Sequence, residues 1–192
     1  MPAIVDHEER RRRIAAITAR IIAEDGLDVA TVRQVAARSG YSTSVVTHYF
    51  TGKRDLLIWA HRISAERAQM RVDAALAAHP SSLSACLLSL MPTDESSRQS
   101  WRVFMAFRQM ATVDPEFAAV ERFWFDHARG IVGRVAQACH GDRATAQTIE
   151  LLMALLQGIA VQVVFDAENW PLERQQTLVA AQIALLFPQL GP

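Results

Sequence analysis

The segment TVRQVAARSGYSTSVVTHYF, residues 31–50, has the pattern of two short helices separated by Gly40. Thr31 and Ser42 stand where each helix would begin, and a hydroxyl side chain at that position accepts a hydrogen bond from a free backbone N–H group. Gly40 suits the left-handed backbone conformation of a tight turn between helices. Helices this short are marginal by themselves, so the segment predicts two helices that pack on each other and on a third.

The side chains of this segment divide into an inward and an outward set. Ala36 is small where the two helices would cross, and Val46 would fill the space between them. A helix–turn–helix unit places its second helix in the major groove of DNA, and short polar groups can meet base edges or phosphates there. The pattern therefore predicts a DNA-binding surface, whose outward residues on the second helix are Thr43, Ser44, Thr47 and His48.

Residues 10–57 resemble the DNA-binding domain of the tetracycline-repressor (TetR) family. The resemblance lies in ATVRQVAARSG followed by STSVVTHYFTGKRDLL, which has a capping threonine, a glycine in the turn, an aromatic pair and a lysine before a long helix. Many family members carry an aromatic residue where this chain has Thr47, and the SVVTHYF form is more similar to the choline-responsive repressors of the betaine pathway. The residues that occupy the family's positions are Thr31, Ala36, Gly40, Tyr49, Phe50, Lys53 and Leu56.

The resemblance implies a set of DNA contacts. Thr31 and Arg33 would meet the DNA backbone from the first short helix, and Tyr49 and Lys53 would bind phosphates. The residues that would read or position the groove are Ser42, Thr43, Ser44, Thr47 and His48.

Composition favours a mostly helical globular protein, because hydrophobic residues make up 51% of the 192 positions while Gly and Pro are sparse. The formal net charge is zero, which gives no overall attraction to nucleic acid. Charge is nevertheless uneven, since the first 54 residues carry nine basic and six acidic side chains. The N-terminal quarter is therefore basic and the remainder is acidic to match.

Helical periodicity continues along the whole chain, and no strand-like alternation interrupts it. We predict an all-α fold of about nine helices. An N-terminal three-helix helix–turn–helix domain would occupy residues 1–54, and a helical ligand-sensing and dimerisation domain would occupy residues 55–192. The helices predicted outside the opening segment span residues 6–25, 53–79, 84–91, 94–112, 115–139, 142–166 and 171–187.

The predicted helix over residues 142–166 is apolar on nearly all sides and must be covered on most of them. Glu150, Gln157 and Gln162 interrupt it, which argues against a membrane span. The resemblance implies that this helix and the last one form a four-helix seam between the two subunits of a homodimer. A monomeric core helix is the alternative. The predicted dimer residues are Leu152, Leu156, Val163, Val179, Ile183 and Leu186.

Aromatic residues cluster between residues 101 and 125. Such rings, with Glu121, Asp126 or Gln157, could enclose an unidentified small organic ligand between helices. A quaternary ammonium cation would suit an aromatic cage, and ordinary core packing is the alternative for each ring. The predicted ligand-binding residues are Trp101, Phe104, Arg108, Trp124, His127 and Gln157.

Missing motifs argue against an enzyme. The sequence has no Gly-x-Ser-x-Gly elbow, no glycine-rich phosphate loop and no His-Glu-x-x-His metal pair. Cys86 and Cys139 lack the spacing of a zinc site or a disulfide framework, so we expect no metal and no cofactor. The N-terminus lacks the apolar core of a signal peptide, which favours a cytoplasmic protein.

We therefore expect a ligand-responsive transcriptional repressor that binds a palindromic site in double-stranded DNA as a homodimer. A helical protein-interaction module is the alternative. In that case the helix–turn–helix would be a scaffold with no specific DNA target.

Overall fold

The computed structural model describes the backbone of residues 3–188 and the side chains of residues 7–188. Within that range the chain forms helices and no strand, so the prediction of an all-α fold is confirmed. The α-helices are α1 Ala3–Asp25, α2 Val32–Ser39, α3 Thr43–Tyr49, α4 Lys53–Ala78, α5 Leu83–Ser89, α6 Glu95–Ala111, α7 Pro115–His140, α8 Ala146–Phe165 and α9 Leu172–Leu186.

The start of α8 differs from the prediction that this helix begins near Asp142. Gly141–Arg143 forms a separate 3-10 turn, and the α-helix begins only at Ala146. The physical reason is the cap at Thr145, whose Oγ1 accepts a hydrogen bond from the backbone N–H of Thr148 at 3.3 Å. This side chain satisfies a donor that would otherwise be free at the helix start.

The opening segment folds as its capping residues predict. Thr31 Oγ1 accepts from the backbone N–H of Gln34 at 3.2 Å, and Ser42 Oγ accepts from that of Val45 at 3.2 Å. Gly40 ends α2 with a φ of 71°, in the left-handed region that a side chain would strain. The end of α2 at Ser39 and the start of α3 at Thr43 are therefore both well defined.

Packing divides the chain into two compact units. The N-terminal unit contains the described residues up to Arg67 together with Gln99–Glu121, and the C-terminal unit contains Ala68–Arg98 together with the described residues from Arg122 onward. Helices α4, α6 and α7 each contribute residues to both units. The boundary predicted after residue 54 separates DNA binding from ligand sensing and dimerisation. It differs in kind from this division by packing, and it stays a prediction.

The core of the N-terminal unit fixes the orientation of α3. Val46 and Phe50 are 0% and 1% exposed, and they pack with residues of α1, α2 and α4 and with Phe107 and Phe117. The guanidinium of Arg11 lies over the Trp59 ring at 4.0 Å and over the Phe50 ring at 5.4 Å. Because one face of α3 is held this firmly, its opposite face is presented in a defined direction.

The C-terminal unit has its own core, in which α5 packs on α9 and α8 packs on α9. Fully buried side chains from five helices meet there. They include Val72, Leu87, Val132, Leu152 and Val179.

Candidate nucleic-acid interface

The outward face of α3 carries the polar side chains that the sequence predicts. Thr43, Ser44, Thr47 and His48 are all exposed. Ser42 Oγ lies 2.8 Å from Ser44 Oγ, so these two hydroxyls form a hydrogen bond at the helix start. A strip of hydroxyl groups and one imidazole thus faces away from the core of the unit.

Thr47 differs from its neighbours in what it can offer. Its Oγ1 donates to the carbonyl oxygens of Thr43 and Ser44 at 3.0 and 3.1 Å. A hydroxyl has one proton, so this donor is already engaged, while an acceptor lone pair and the methyl group remain. In this rotamer Thr47 suits a base N–H donor or a thymine methyl, and it cannot donate to a phosphate.

Four further predicted contacts surround α3. Thr31 and Arg33 are exposed at the start of α2, and Tyr49 is half-buried. Lys53 begins α4, and its Nζ lies 3.4 Å from the carbonyl oxygen of Asp28. That contact is long for a hydrogen bond, so the ammonium keeps donors for another acceptor.

Ion pairs that the sequence did not reveal connect the helices that surround α3. Arg38 binds Glu24 at 2.6 Å and Asp25 at 2.5 Å, which ties the end of α2 to the end of α1. Asp55 accepts from the backbone N–H of Thr51 at 3.2 Å and also faces Arg11 at 3.5 Å. The partners of Arg38 and Arg11 lie 13 to 44 positions away in the sequence, so no local pattern indicates these ion pairs.

Three of the predicted ligand-binding residues lie together in the N-terminal unit. Trp101 and Phe104 meet edge to face with ring centroids 5.8 Å apart, and the Arg108 guanidinium lies 5.5 Å from the Trp101 ring. Arg108 Nε also donates to Glu121 Oε1 at 2.7 Å. The aromatic pair therefore stands beside a carboxylate.

His61 completes this cluster and was missed at the sequence level. Its side chain is 3% exposed, and its Nε2 lies 3.1 Å from Glu121 Oε2. Burial alone raises the pKa of Glu121, but hydrogen bonds and positive charge from His61 and Arg108 outweigh it, so that the pKa is lowered. Glu121 is thus a carboxylate near neutral pH. A single histidine on an apolar helix face gives no signal that could have indicated this group.

The other three predicted ligand-binding residues lie in the C-terminal unit. The rings of Trp124 and His127 are 5.4 Å apart, and His127 Nε2 lies 3.1 Å from Gln69 Oε1. Gln157 is half-buried on α8. A pocket formed by all six residues stays a prediction.

The predicted dimer residues are placed mainly in the chain's own core. Leu152, Leu156, Val163 and Val179 are at most 3% exposed, so these side chains are not available to a partner. Ile183 and Leu186 are partly buried and pack against the same core. The cause is that α8 is apolar on several sides, and its most regular stripe faces inward.

A second apolar stripe on α8 and α9 faces outward. Leu151 and Phe165 are 44% and 79% exposed on α8, while Leu178 and Leu185 are 37% and 76% exposed on α9. On α8, between Leu151 and Phe165, Gly158 has no atom within 4 Å of the position that a Cβ atom would occupy. Among the described residues, α8 is the one helix that is long and apolar enough to cross a membrane. The core helix of a water-soluble protein can have the same length and composition. We call these four exposed side chains the outer stripe, and none of them is among the predicted dimer residues.

No group of three or more metal-ligating side chains that could hold an ion occurs among the described residues. Cys86 and Cys139 are both free thiols. Burial raises the pKa of both, and for Cys86 the nearby Cys139 adds to the effect. Thiols with raised pKa values are poor nucleophiles at neutral pH.

Two family models match the sequence. Residues 14–58 match the model of the bacterial regulatory proteins of the tetR family. Residues 80–188, more than half of the chain, match the C-terminal model of the BetI-type transcriptional repressors.

Curated relatives of this chain are HTH-type transcriptional regulators. The HTH-type transcriptional regulator PksA of Bacillus subtilis (strain 168) is 29% identical over 172 residues, which cover 86% of this chain and 84% of that protein. The HTH-type transcriptional regulator BetI of Escherichia coli (strain K12 / DH10B) is 40% identical over 57 residues, 30% of this chain and 29% of that protein.

Solved structures with the same fold are also regulators. A transcriptional regulator from Rhodococcus sp. Rha1 superposes with a TM-score of 0.83 at 26% identity, over 95% of this chain and 99% of that one. A transcriptional regulator from Saccharomonospora viridis, solved in complex with choline, has a TM-score of 0.77 at 20% identity, over 92% and 96% of the two chains.

Proposed function

The chain belongs to the tetR family of bacterial regulatory proteins, and from that premise we propose that it is a cytoplasmic, ligand-responsive repressor. It would bind a palindromic operator as a homodimer and release it when a small molecule binds. The observation that carries the proposal is the exposed polar strip of α3, on a helix whose other face is fixed in the core by Val46 and Phe50.

The side chains around α3 suit different parts of the DNA. Thr43, Ser44 and His48 have donors and acceptors that can meet base edges in the major groove. Lys53 and Arg33 carry charges that suit phosphate oxygens, which fix the register without reading the sequence. This division allows single substitutions to separate affinity from specificity.

The outer stripe supports the homodimer. Large apolar side chains that are 37–79% exposed form a surface that a soluble monomer would rarely leave uncovered. A second copy related by two-fold symmetry would cover the stripe with its own. Two heads held in this way match a palindrome whose half-sites are separated by whole helical turns of about 34–36 Å each.

The cluster around Glu121 supports a ligand site in the N-terminal unit. Trp101 and Phe104 supply aromatic faces, and a cation that displaces Arg108 would meet both the Trp101 ring and the Glu121 carboxylate. Rings with an adjacent carboxylate favour an organic cation, and a fold neighbour was solved with choline. We propose that ligand binding tilts α4, which begins at Lys53 beside the DNA-binding face, and changes the separation of the two heads.

Lys53 offers a direct test because it is the chain's single lysine. An amine-acylating reagent would label Lys53 and the N-terminal amine, and mass spectrometry would follow each site with and without duplex DNA. Protection of Lys53 by the operator, at concentrations where an unrelated duplex of equal length gives none, supports specific binding. Equal labelling with and without every duplex would favour the protein-interaction module instead.

Choline is the first probe for the ligand site. Titration with choline should change the fluorescence of Trp101 and weaken operator binding, and Trp101→Phe should remove the fluorescence change. No heat of binding and no thermal shift with choline would exclude that cation as the ligand. The repressor proposal would then depend on a wider screen of organic cations.

A further inference from the structure

Three aromatic rings connect α1 to the DNA-binding face of α3. The His7 ring lies 4.4 Å from the Tyr49 ring and 5.8 Å from the His48 ring, measured between centroids. His48 and Tyr49 are themselves 5.2 Å apart. His7 and His48 are both exposed, so the rings form one continuous surface.

We infer that His7 is a DNA-binding residue whose imidazole N–H donates to a phosphate oxygen beside the one that Tyr49 contacts. The inference rests on the proposed function, which places Tyr49 and His48 against the DNA. Each DNA strand carries one phosphate for about every 3.4 Å of helix axis. A ring in contact with both residues therefore lies within reach of a neighbouring phosphate.

The chemistry of the site favours a phosphate over a base edge. A histidine has an N–H donor in its neutral form and two in its protonated form, so the donor is present in either state. In helix–turn–helix complexes the helix before the recognition helix crosses the DNA backbone, and roughly half to two-thirds of all protein–DNA hydrogen bonds go to phosphate and sugar. Packing against Tyr49 also restricts the His7 ring before DNA binds, which lowers the entropy lost on binding.

The charged groups that follow His7 on α1 are engaged within the unit. Arg11 faces Asp55 at 3.5 Å, and Arg12 binds Glu66 at 2.7 Å and faces Glu8 at 3.6 Å. The position of the His7 ring beside Tyr49 and its N–H donor therefore carry the inference.

Two substitutions separate DNA contact from packing. His7→Phe keeps a ring against Tyr49 but removes both nitrogen atoms, whereas His7→Ala removes the ring as well. His79→Phe is the matched control, because His79 is an exposed histidine at the end of α4 in the other unit. Dissociation constants would be measured for the operator, obtained by selecting bound duplexes from a random DNA pool, and for a scrambled duplex of the same composition. Thermal unfolding and dimerisation would serve as checks on the fold.

A phosphate contact predicts that His7→Phe and His7→Ala both weaken binding by roughly 5–10-fold, on the operator and on the scrambled duplex alike. His79→Phe should stay within about twofold of the wild type. Normal binding by His7→Phe with weak binding by His7→Ala would overturn the inference, since the ring would then only support Tyr49. A loss confined to the operator would also overturn it, by indicating a base contact. Wild-type protein that binds no duplex would refute the proposed function and the inference together.

Discussion

Each side chain on the outward face of α3 has a hydrogen-bonding capacity that decides which part of the DNA it can meet. Thr43 and Thr47 are the same residue type one turn apart, and both are exposed. The Thr47 proton is shared between two backbone carbonyls, whereas no such bond engages the Thr43 hydroxyl among the described contacts. Thr43 can therefore donate to a base, while Thr47 presents an acceptor and a methyl group.

We expect Thr43→Ala to relax base preference at one operator position. The cost should be roughly 1–3 kcal/mol for the preferred base and close to zero on the scrambled duplex, because a base contact carries sequence information. Competition between operators that differ at single positions measures the effect. Thr112→Ala, an exposed threonine in the turn after α6, is the control. An equal loss on every sequence would contradict a base contact.

Lys53 should behave in the opposite way. Lys53→Gln removes one phosphate contact, so affinity should fall on all sequences and the slope of log K against log salt should become shallower by about 1. Lys53→Arg keeps the charge and should keep the slope. Titrations at several salt concentrations measure this, and an unchanged slope in Lys53→Gln would mean that the ammonium does not touch the backbone.

Sequence reasoning succeeds for residues whose role depends on near neighbours. The caps at Thr31 and Ser42 bond to N–H groups three residues away, so the residue type and its position predict them. His61 and Glu121 are 60 positions apart and meet only in the folded unit, where their side chains lie 3.1 Å apart. No local pattern encodes such a pair, and the acid could be proposed only as one of several.

At the scale of elements, Asp114 connects the start of α7 to Arg54 on α4. Asp114 Oδ1 accepts from the backbone N–H groups of Glu116 and Phe117 at 3.0 and 3.3 Å, which caps α7. Its Oδ2 binds Arg54 Nη2 on α4 at 2.6 Å. Asp114 therefore starts one helix and binds another.

The pKa of Asp114 predicts how this junction responds to acid. The hydrogen bond from Arg54, followed by the capping N–H groups, lowers that pKa from 3.8 to about 2. The unfolded chain takes up this proton first as the pH falls, so the stabilisation is complete above about pH 4 and is lost towards pH 2. Stability should therefore fall as the pH drops through that window.

Asp114→Asn tests this linkage while keeping an oxygen that can cap α7. Urea unfolding from pH 5 to pH 2 should show a smaller loss of stability in the variant than in the wild type. Other carboxylates titrate in the same range, so the difference between the two curves is the measurement. Identical curves would contradict the role of the Arg54 pair.

The case of α8 shows where a pattern is insufficient. Its apolar character on all sides is evident in the sequence, and so is the need for cover. Which side faces the chain's own core depends on the packing of α5 and α9, and the structure buries Leu152 and exposes Leu151. The sequence therefore predicts Leu152 for the partner interface, whereas the structure places this side chain in the subunit's own core.

At the scale of the whole molecule, recognition of a palindrome requires two DNA-binding heads at a fixed separation. A single head offers few base contacts, and each good contact contributes roughly 1–3 kcal/mol of discrimination. Two heads on one palindrome combine these contributions. Dimerisation through the outer stripe would therefore underlie specificity as well as affinity.

Leu185→Glu should abolish the dimer and leave the subunit folded. Leu185 is 76% exposed, so the substitution should change subunit stability by no more than about 0.5 kcal/mol. In a dimer the unpaired carboxylate would be buried, at a cost of several kcal/mol. Sedimentation equilibrium measures the effect, and Gln137→Glu on an exposed part of α7 is the control for added charge. A Leu185→Glu dimer as tight as the wild type would move the interface elsewhere.

The most direct test of the central claim is selection of bound duplexes from a random DNA pool by the purified wild-type protein, at moderate salt and without ligand. We predict enrichment of a palindrome with two half-sites a whole number of helical turns apart, bound by a dimer. Recovery of no common sequence, by protein that is folded and dimeric and with candidate ligands such as choline both absent and present, would contradict it. The helix–turn–helix would then be a scaffold, and the interaction-module alternative would stand.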